Sequence, residues 1–263
     1  MRVIISTDLE GISGIICWEQ CRDFSSAMYQ SARGLLMGDV SACIEGCLAA
    51  GATDIIVEDG HGGGLNFIPE QMHPGARYFT GRSRNPFMCW VDLYEGIDAA
   101  ILLGYHAMAG TADGILRHTQ SSRGGNRYWY NERECGEMVQ DALVFGDFGI
   151  PTVMVSGDTA TCREAHTFFG PEIVTVEVKK GYGEEFGVLL APSKAHDLIT
   201  SGAEQACKIA QDIKPYRIET PISGRLRFPD KTVADGYHPA TVKRVDDYTF
   251  EAIIEQARYV HIF

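Results

Sequence analysis

Short apolar runs and longer amphipathic stretches alternate along this chain. The apolar runs have the length of strands and end at a glycine or a turn: residues 2–7, 54–59, 99–104 and 151–156, with a fifth at 172–178. Apolar side chains at steps of three and four predict helices between them: residues 27–50, 137–148, 159–169 and 193–212, the last with Ser193 as its N-cap. This alternation predicts an α/β fold, mainly a parallel doubly wound sheet flanked by helices.

Two regions depart from this alternation. Residues 127–134 are rich in strand-forming aromatic side chains and predict a hairpin that turns at Asn131. Near the C-terminus, residues 224–228 alternate like an exposed strand, residues 240–245 are expected to pair with them, and a last helix is expected around residues 250–260. We therefore expect a smaller α+β subdomain after the main sheet.

Length and composition limit the number of domains and exclude some classes of binding partner. With 263 residues, of which 45% are hydrophobic, the chain is long enough for an α/β core at 1–190 and a C-terminal helix with the α+β subdomain at 191–263. The net charge of −12 argues against nucleic acid and anionic membranes as partners. No apolar run is long enough to span a membrane and no leader is recognisable, so we expect a cytoplasmic protein.

Potential metal ligands follow three of the predicted strands. Asp8 and Glu10 follow the first strand, His61 follows the second and His106 follows the third. Because ligands bind beyond the carboxyl ends of the strands in an open parallel sheet, we expect these side chains to meet at one edge. Two carboxylates and two histidines suit a divalent ion of the zinc type. Asp8 is placed to bridge two such ions, for which Glu137, at the start of a predicted helix, supplies a further acid.

Each of these residues is also open to a simpler interpretation. Asp8 and Glu10 can cap the turn after the strand, and Glu137 can be a favourable acid in the first turn of its helix. His61 can be a turn residue whose neighbouring glycines cradle a phosphate, although neither common phosphate-loop motif is present. His106 can be a hydrogen-bonded core histidine. The joint pattern is more specific than any member, because chance would have to place ligand types at three successive strand ends.

Several segments together carry a resemblance to a known family. They are residues 6–14 (STDLEGISG), 59–62 (DGHG), 103–107 (LGYHA), His118 and 131–137 (NERECGE). In their order and approximate spacing the chain resembles the D-aminopeptidases of the DppA type, which are zinc-dependent peptidases. The resemblance implies removal of an N-terminal D-residue from short peptides, typically D-alanyl dipeptides. It also implies a ring-like homo-oligomer that encloses its active sites, with a homodecamer as the expected size.

The resemblance further implies a centre of two Zn²⁺ per subunit and a role for each ligand. The ligands it implies are Asp8, bridging both ions, with Glu10 and His61 on one ion and His106 and Glu137 on the other. It also points to His118 as a catalytic residue near the metals. Without the family, the sequence alone favours a surface or core histidine at position 118 over a catalytic one.

The function we expect is that of a zinc-dependent aminopeptidase acting on short D-amino-acid peptides through a water activated by two zinc ions. In this hypothesis His118 passes a proton to the leaving amine or stabilises the oxyanion. One alternative is a metal-dependent phosphoesterase, because paired metals and a glycine-rich loop are equally suited to phosphoryl transfer. Another is a non-catalytic metal-binding module, which would bind metal but turn over neither amides nor phosphate esters.

Overall fold

The computed structural model describes residues 1–82, 91–123 and 125–263. In these residues the strands are β1 (Arg2–Thr7), β2 (Asp54–Asp59), β3 (Arg77–Phe79), β4 (Ala99–Leu103), β5 (Arg127–Tyr130), β6 (Arg133–Cys135), β7 (Thr152–Asp158), β8 (Val174–Gly183), β9 (Phe186–Leu189), β10 (Ile222–Arg227), β11 (Lys243–Arg244) and β12 (Thr249–Ile254). The α-helices are α1 (Ala27–Ala49), α2 (Val91–Tyr94), α3 (Glu137–Asp147), α4 (Thr159–Phe169), α5 (Pro192–Ile209) and α6 (Lys231–Asp235). Short 3₁₀ helices lie at Trp18–Gln20, Pro69–Gln71, Ala210–Asp212 and Ala257–Ile262. None of these helices combines the length and apolar character needed to cross a bilayer.

Seven of the described strands form the larger sheet, in the order β3-β2-β1-β4-β7-β8-β9. Neighbouring strands are parallel except β8 and β9, which are antiparallel. Val3 and Ile5 of β1 pack into the core layer that contains α1 and α5, whereas Ile4 packs into the layer on the opposite face, with α3 and α4. A strand covered on both faces is apolar at nearly every position, which explains the continuous apolar runs of the sequence. The predicted mainly parallel α/β fold is confirmed.

Five of the described strands form a smaller antiparallel sheet, in the order β11-β12-β10-β5-β6. The hairpin expected at residues 127–134 is confirmed: β5 and β6 are joined at Asn131 and Glu132, whose φ angles are 48° and 66°. Positive φ at both positions is typical of two-residue hairpin turns. This hairpin is the edge of the sheet that contains the C-terminal strands.

Two predictions for the C-terminal region are wrong. Residues 240–245 do not pair with residues 224–228, because β10 and β11 both pair with β12, which lies between them. The first half of the expected helix at 250–260 is strand: in β12, Phe250, Ala252 and Ile254 are buried and the residues between them are exposed. That alternation has the period of a strand, and only Ala257–Ile262 is helical.

Elements that belong with each sheet lie on both sides of residue 190. β5 and β6 precede that residue but belong to the smaller sheet, while α5 follows it and packs against α1 of the larger sheet. Thr200 Oγ1 donates to Ala42 O at 3.0 Å across this helix pair. Helix α5 begins at Pro192, with Ala191 and not Ser193 as its N-cap, because proline suits the first helical position. The division into 1–190 and 191–263 remains a prediction.

Candidate metal centre

The ligand types predicted from the sequence lie together at the carboxyl edge of the larger sheet. Asp8 and Glu10 follow β1, while His61 and His106 follow β2 and β4, the two neighbours of β1. Glu137 is the first residue of α3 and reaches the same edge. Asp8, Glu10 and both histidines are buried, and the Glu137 side chain is 22% exposed. The parallel topology thus brings together potential ligands that are spread over 130 residues of the sequence. This agrees with the expectation that side chains after neighbouring parallel strands meet at one edge of the sheet.

Two glycines bring the loops after β1 and β4 into direct backbone contact. Gly11 N donates to Gly104 O at 2.7 Å. A Cβ on Gly11 would lie 1.9 Å from Tyr105 O, and a Cβ on Gly104, whose φ is +77°, would lie 2.5 Å from Asp8 O. No side chain fits at either position, so glycine is required there. The close approach of the two loops places Asp8 beside His106.

The Asp8 carboxylate is shared between two histidines. Its Oδ1 lies 3.0 Å from His61 Nδ1, and its Oδ2 lies 3.2 Å from His106 Nε2. The same nitrogens face a second carboxylate each: His61 Nδ1 lies 3.0 Å from Glu10 Oε2, and His106 Nε2 lies 3.4 Å from Glu137 Oε1. The two oxygens of Asp8 therefore point to two different halves of the cluster.

Backbone carbonyls orient all three histidines of the centre. One ring nitrogen of each histidine lies at hydrogen-bond distance from a carbonyl oxygen: His61 Nε2 at 3.0 Å from Cys21, His106 Nδ1 at 3.0 Å from Ala107, and His118 Nδ1 at 2.8 Å from Leu116. A carbonyl only accepts, so in the neutral rings these nitrogens carry the hydrogen. The other nitrogen of each ring then presents a lone pair to the carboxylates, an arrangement typical of metal-binding histidines.

Two buried atoms without a well-formed hydrogen bond indicate that the residues present fit a cation. Glu10 Oε2 and His106 Nε2 are buried and form no hydrogen bond of acceptable geometry with any described residue. Buried polar atoms are normally paired, because an unpaired one loses its hydration without compensation. Ligand atoms of Asp8, Glu10 and His106 lie within 4.8 Å of one another, as do those of His106, His118 and Glu137. Carboxylates and imidazoles at this spacing form a donor set suited to divalent metals.

The charges of the cluster keep one another ionised. Burial alone lowers the pKa of His61 and of His106, but the carboxylates of Glu10, Glu137 and Asp8 outweigh it and raise both pKa values well above the ordinary one. Burial alone raises the pKa of Asp8, yet the two histidines hold it well below its usual range. The pKa of Glu137 is lowered as well, chiefly by His106 against the effect of burial. Three carboxylates in one buried cluster are stable only if positive charge balances them. Protons on the histidines or bound divalent ions supply that charge.

His118 lies at the edge of the cluster. Its ring stacks on that of His106, with centroids 3.9 Å apart and planes inclined by 13°, and its Nε2 lies 3.5 Å from Glu137 Oε1. Trp18 also packs against the His118 ring in an edge-to-face arrangement, at 5.4 Å between centroids. The backbone N–H of Gln120 donates to Glu137 Oε1 at 2.6 Å. The loop between β4 and β5 thus supplies His118 and also holds one of the acids.

A buried lysine that sequence reasoning did not single out holds the loop that carries Glu10. Lys179 Nζ donates to the carbonyl oxygens of Glu10 at 2.5 Å, Ile12 at 3.0 Å and Ile15 at 2.8 Å. Burial lowers the pKa of this ammonium to about 8, against the opposing charge of Asp158. An ammonium has three N–H groups, and all of them are used here. Lys179 therefore fixes the backbone from which Glu10 projects.

Replacing Lys179 with Met should lower the free energy of unfolding by about 2–4 kcal/mol, because three buried carbonyls lose their donor. Urea denaturation of the purified protein measures this change. Lys180→Met, which removes the exposed lysine next in the chain, is the matched control and should change the free energy by less than about 0.5 kcal/mol. Equal urea midpoints for the two variants would contradict the expectation.

The C-terminal segment also reaches the centre, through a histidine to which sequence reasoning assigned no role. His261 Nε2 lies 3.0 Å from Asp141 Oδ1, and its Nδ1 lies 3.3 Å from Nε2 of Gln120, the residue that donates to Glu137. Burial alone lowers the pKa of His261, but its contact with Asp141 raises it above the ordinary value. No ligand type lies near His261 in the sequence, and its contact depends on the packing of Ala257–Ile262 against α3.

A cavity of about 310 Å³ opens onto the cluster. Its lining includes Asp8, Glu10, Cys21, Gly60, His61, Gly62, His118 and Glu137. Arg22, Gln120, Ser122 and Arg123 complete the wall. Sequence reasoning missed these four, because they lie in loops without a recognisable motif. The centre is therefore open to a ligand of small size.

Comparison with known proteins identifies the family. The family model for Peptidase M55, described as D-aminopeptidase, matches residues 1–263. A D-aminopeptidase of Bacillus subtilis (strain 168) is 30% identical over 215 residues, which cover 82% of this chain and 77% of that protein. Among solved structures, the zinc-dependent D-aminopeptidase DppA from Bacillus subtilis, described as a self-compartmentalizing protease, is similar with a TM-score of 0.88 at 25% identity, covering 99% of this chain and 94% of that one. The chain therefore belongs to the D-aminopeptidase family and is a metallopeptidase.

Proposed function

We propose that this protein is a zinc-dependent aminopeptidase that removes the N-terminal D-residue from short peptides such as D-alanyl dipeptides. The observation that carries the proposal is the convergence of carboxylates and histidines beside an open cavity, where two of their buried atoms, Glu10 Oε2 and His106 Nε2, form no hydrogen bond of acceptable geometry with any described residue. The similar Bacillus subtilis protein is described as zinc-dependent and as a D-aminopeptidase, which supports both the metal and the substrate class.

The proposed centre holds two Zn²⁺ per subunit. We assign Asp8 as the carboxylate shared by both ions, since its two oxygens face different histidines. The remaining ligands are Glu10 and His61 for one ion and His106 and Glu137 for the other. Carboxylate oxygen and imidazole nitrogen are both common ligands of zinc in hydrolytic sites.

The reaction needs an activated water and a group that moves a proton. When bound, zinc supplies Lewis acidity and makes a water nucleophilic at neutral pH. His118 supplies the proton transfer: its Nδ1 donates to Leu116 O, so the neutral ring accepts a proton at Nε2 and can pass it to the leaving amine. Glu137 Oε1, at 3.5 Å from that Nε2, stabilises the imidazolium.

The size of the cavity supports a short substrate. Ligand pockets usually enclose about 300–1,000 Å³, and this one, at about 310 Å³, lies at the lower end. A dipeptide fits such a volume, whereas a folded polypeptide does not. The similar protein is described as self-compartmentalizing, which supports a homo-oligomer here too, and a homodecamer is the size we propose. The cytoplasmic location expected from the sequence stays a prediction.

Removal of the metal should abolish hydrolysis of D-alanyl-D-alanine, and two equivalents of zinc per subunit should restore it. The reason is that the cavity lining otherwise offers the Ser122 hydroxyl and the Cys21 thiol, and burial raises the pKa of this thiol well above its ordinary value, so neither is ionised at neutral pH. Release of D-alanine measures the activity, and elemental analysis measures the zinc. L-alanyl-L-alanine, assayed in parallel, should be hydrolysed at least about tenfold more slowly, a difference of about 1.4 kcal/mol in transition-state binding.

Unchanged hydrolysis after chelation would contradict the zinc-dependent mechanism. An aryl phosphate is the control substrate, because turnover of the phosphate and not of the dipeptide would favour the phosphoesterase alternative. Bound zinc without turnover of any of these substrates would favour a non-catalytic metal-binding module.

A further inference from the structure

Two arginines line the wall of the cavity that opens onto the acidic cluster. Arg22 is fixed in place, because its Nε donates to Ser122 Oγ at 3.1 Å and its Nη2 donates to Ser122 O. Its guanidinium also lies over the Trp18 ring, 3.5 Å from the centroid. Trp18 in turn packs against His118. The position of Arg22 is therefore coupled to the loop that carries the proposed catalytic histidine.

Neither arginine has a carboxylate partner in contact. In the ranges 1–82, 91–123 and 125–263, Arg22 and Arg123 form no ion pair, and Arg123 forms no hydrogen bond. The two guanidinium groups repel each other: burial lowers the pKa of Arg22 first, and the charge of Arg123 lowers it further. The carboxylates of Glu184, Glu185 and Glu10 raise the pKa of Arg22 again, but none of them is in ion-pair contact with either arginine, so an anionic ligand can bind there directly.

The unused N–H groups of Arg22 match a planar anion. A guanidinium has five N–H groups, and the two bonds to Ser122 leave at least three free. Arginine binds carboxylates through two parallel hydrogen bonds, which fix the orientation of the carboxylate as well as its charge. The stack on Trp18 already holds the guanidinium plane, so less rotamer freedom is lost on binding.

A dipeptide carries its carboxylate close to its scissile bond. Its C-terminal carboxyl carbon lies one residue beyond the scissile carbonyl carbon, at most about 3.6 Å away. A cavity of about 310 Å³ that contains both the ligand cluster and the arginines can therefore hold the scissile bond and the carboxylate at once. A longer peptide would place a neutral amide, not a carboxylate, at the same distance.

We propose that Arg22 and Arg123 form a subsite for the C-terminal carboxylate of the substrate and thereby select dipeptides. This inference rests on the proposed peptidase function and adds to it the feature that sets substrate length. The subsite also gives the acidic centre a cationic counterpart, so that a zwitterionic peptide is oriented with its amine toward the cluster and its carboxylate toward the arginines.

Equilibrium binding of two non-hydrolysable ligands tests the subsite. The ligands are the reduced-amide analogue of D-alanyl-D-alanine, in which a methylene replaces the scissile carbonyl, and the same analogue with a C-terminal carboxamide. Calorimetry with the zinc-loaded protein should show the carboxylate ligand binding about tenfold to a hundredfold more tightly, as charge-assisted hydrogen bonds do. Equal affinities in the unmodified protein would overturn the inference.

Single substitutions test whether the two arginines cause the preference for the carboxylate ligand. Arg123→Gln should reduce the affinity ratio of the two ligands by about tenfold, and Arg123→Lys, which keeps the charge, should retain part of it. Arg22→Gln should reduce the ratio further, since Arg22 is the more firmly held group. Lys194→Gln removes an exposed cation on α5, outside the cavity, and should leave the ratio unchanged. A ratio that stays unchanged in both arginine-to-glutamine variants would overturn the inference.

Hydrolysis of D-alanyl-D-alanine and of D-alanyl-D-alaninamide, measured on the same preparations, separates the two proposals. Faster turnover of the free acid, with a ratio that falls in Arg123→Gln, supports both. Equal hydrolysis of the two peptides leaves the peptidase proposal standing and overturns the subsite. Selective binding of the carboxylate ligand without hydrolysis of either peptide supports the subsite and overturns the proposed function.

Discussion

Replacing Asp8 with Asn is expected to lower kcat/KM for D-alanyl-D-alanine by at least about 1,000-fold, or about 4 kcal/mol. Asp8 is the residue that faces both His61 and His106, and its two oxygens serve the two halves of the cluster. Asparagine has nearly the same size but replaces one oxygen by an NH₂ group, which has no lone pair for a metal. Elemental analysis should therefore find the zinc content reduced from two equivalents to one or none. Full activity with two equivalents of zinc would contradict the assignment.

Asp158→Asn is the matched control for this variant. Asp158 is also a buried aspartate at a strand end, but its carboxylate accepts from Thr161 N at 2.8 Å and from Ile115 N at 2.6 Å. It is the N-cap of α4, and asparagine caps helices as well as aspartate does. The control should lose about 1–2 kcal/mol of stability with the bond to Ile115 while keeping its zinc. A difference in zinc content between the two variants then reports ligation and not folding.

The larger sheet was predictable because its signals are local. Each central strand is a continuous apolar run, and each long helix has its own apolar stripe, so neither depends on a distant partner for recognition. The position of the candidate centre follows from the same signals, since parallel strands with helical crossovers end at one edge. Asp8, His61 and His106 needed no knowledge of side-chain geometry to be brought together as candidates.

The smaller sheet was less predictable because strand pairing is not local. Nothing in residues 222–227 specifies that they lie between residues 127–130 and 249–254, more than 90 residues away in one case. The error at β12 has a simple cause: Phe250, Ile253 and Ile254 stand at helical spacing, although Ile253 is 63% exposed. The alternation of a strand is visible in this segment only when the burial of each position is known.

Residues that support the centre escape prediction for the same reason. The contact between Lys179 and the Glu10 carbonyl joins residues 169 positions apart, and that between Arg22 and Ser122 joins residues 100 positions apart. A lone lysine or arginine in a sequence is most often an exposed charge. Only the packing of the loops shows that Lys179 is buried and that Arg22 lines the cavity. The ligands of a site are thus easier to predict than the groups that orient them or hold the substrate.

Replacing His118 with Gln is expected to lower kcat by about 100-fold to 10,000-fold while KM and the zinc content stay unchanged. The proposed role requires a lone pair at Nε2, set by the bond from Nδ1 to Leu116 O, and a nearby charge to stabilise the protonated ring, which Glu137 supplies at 3.5 Å. Glutamine fills a similar space and keeps a hydrogen-bonding group but does not accept a proton at neutral pH. Steady-state kinetics with D-alanyl-D-alanine and elemental analysis of the same sample measure both quantities.

The zinc content decides between two roles for His118. Its donor atoms lie within 4.8 Å of those of His106 and Glu137, so the same geometry is compatible with direct ligation. A proton-transfer residue leaves two equivalents of zinc bound when it is replaced, whereas loss of a ligand removes one equivalent or weakens its binding. His166→Gln, which changes an exposed histidine of α4, is the control and should alter neither kcat nor zinc content. Loss of one equivalent of zinc in His118→Gln would therefore contradict the proton-transfer role and make His118 a ligand.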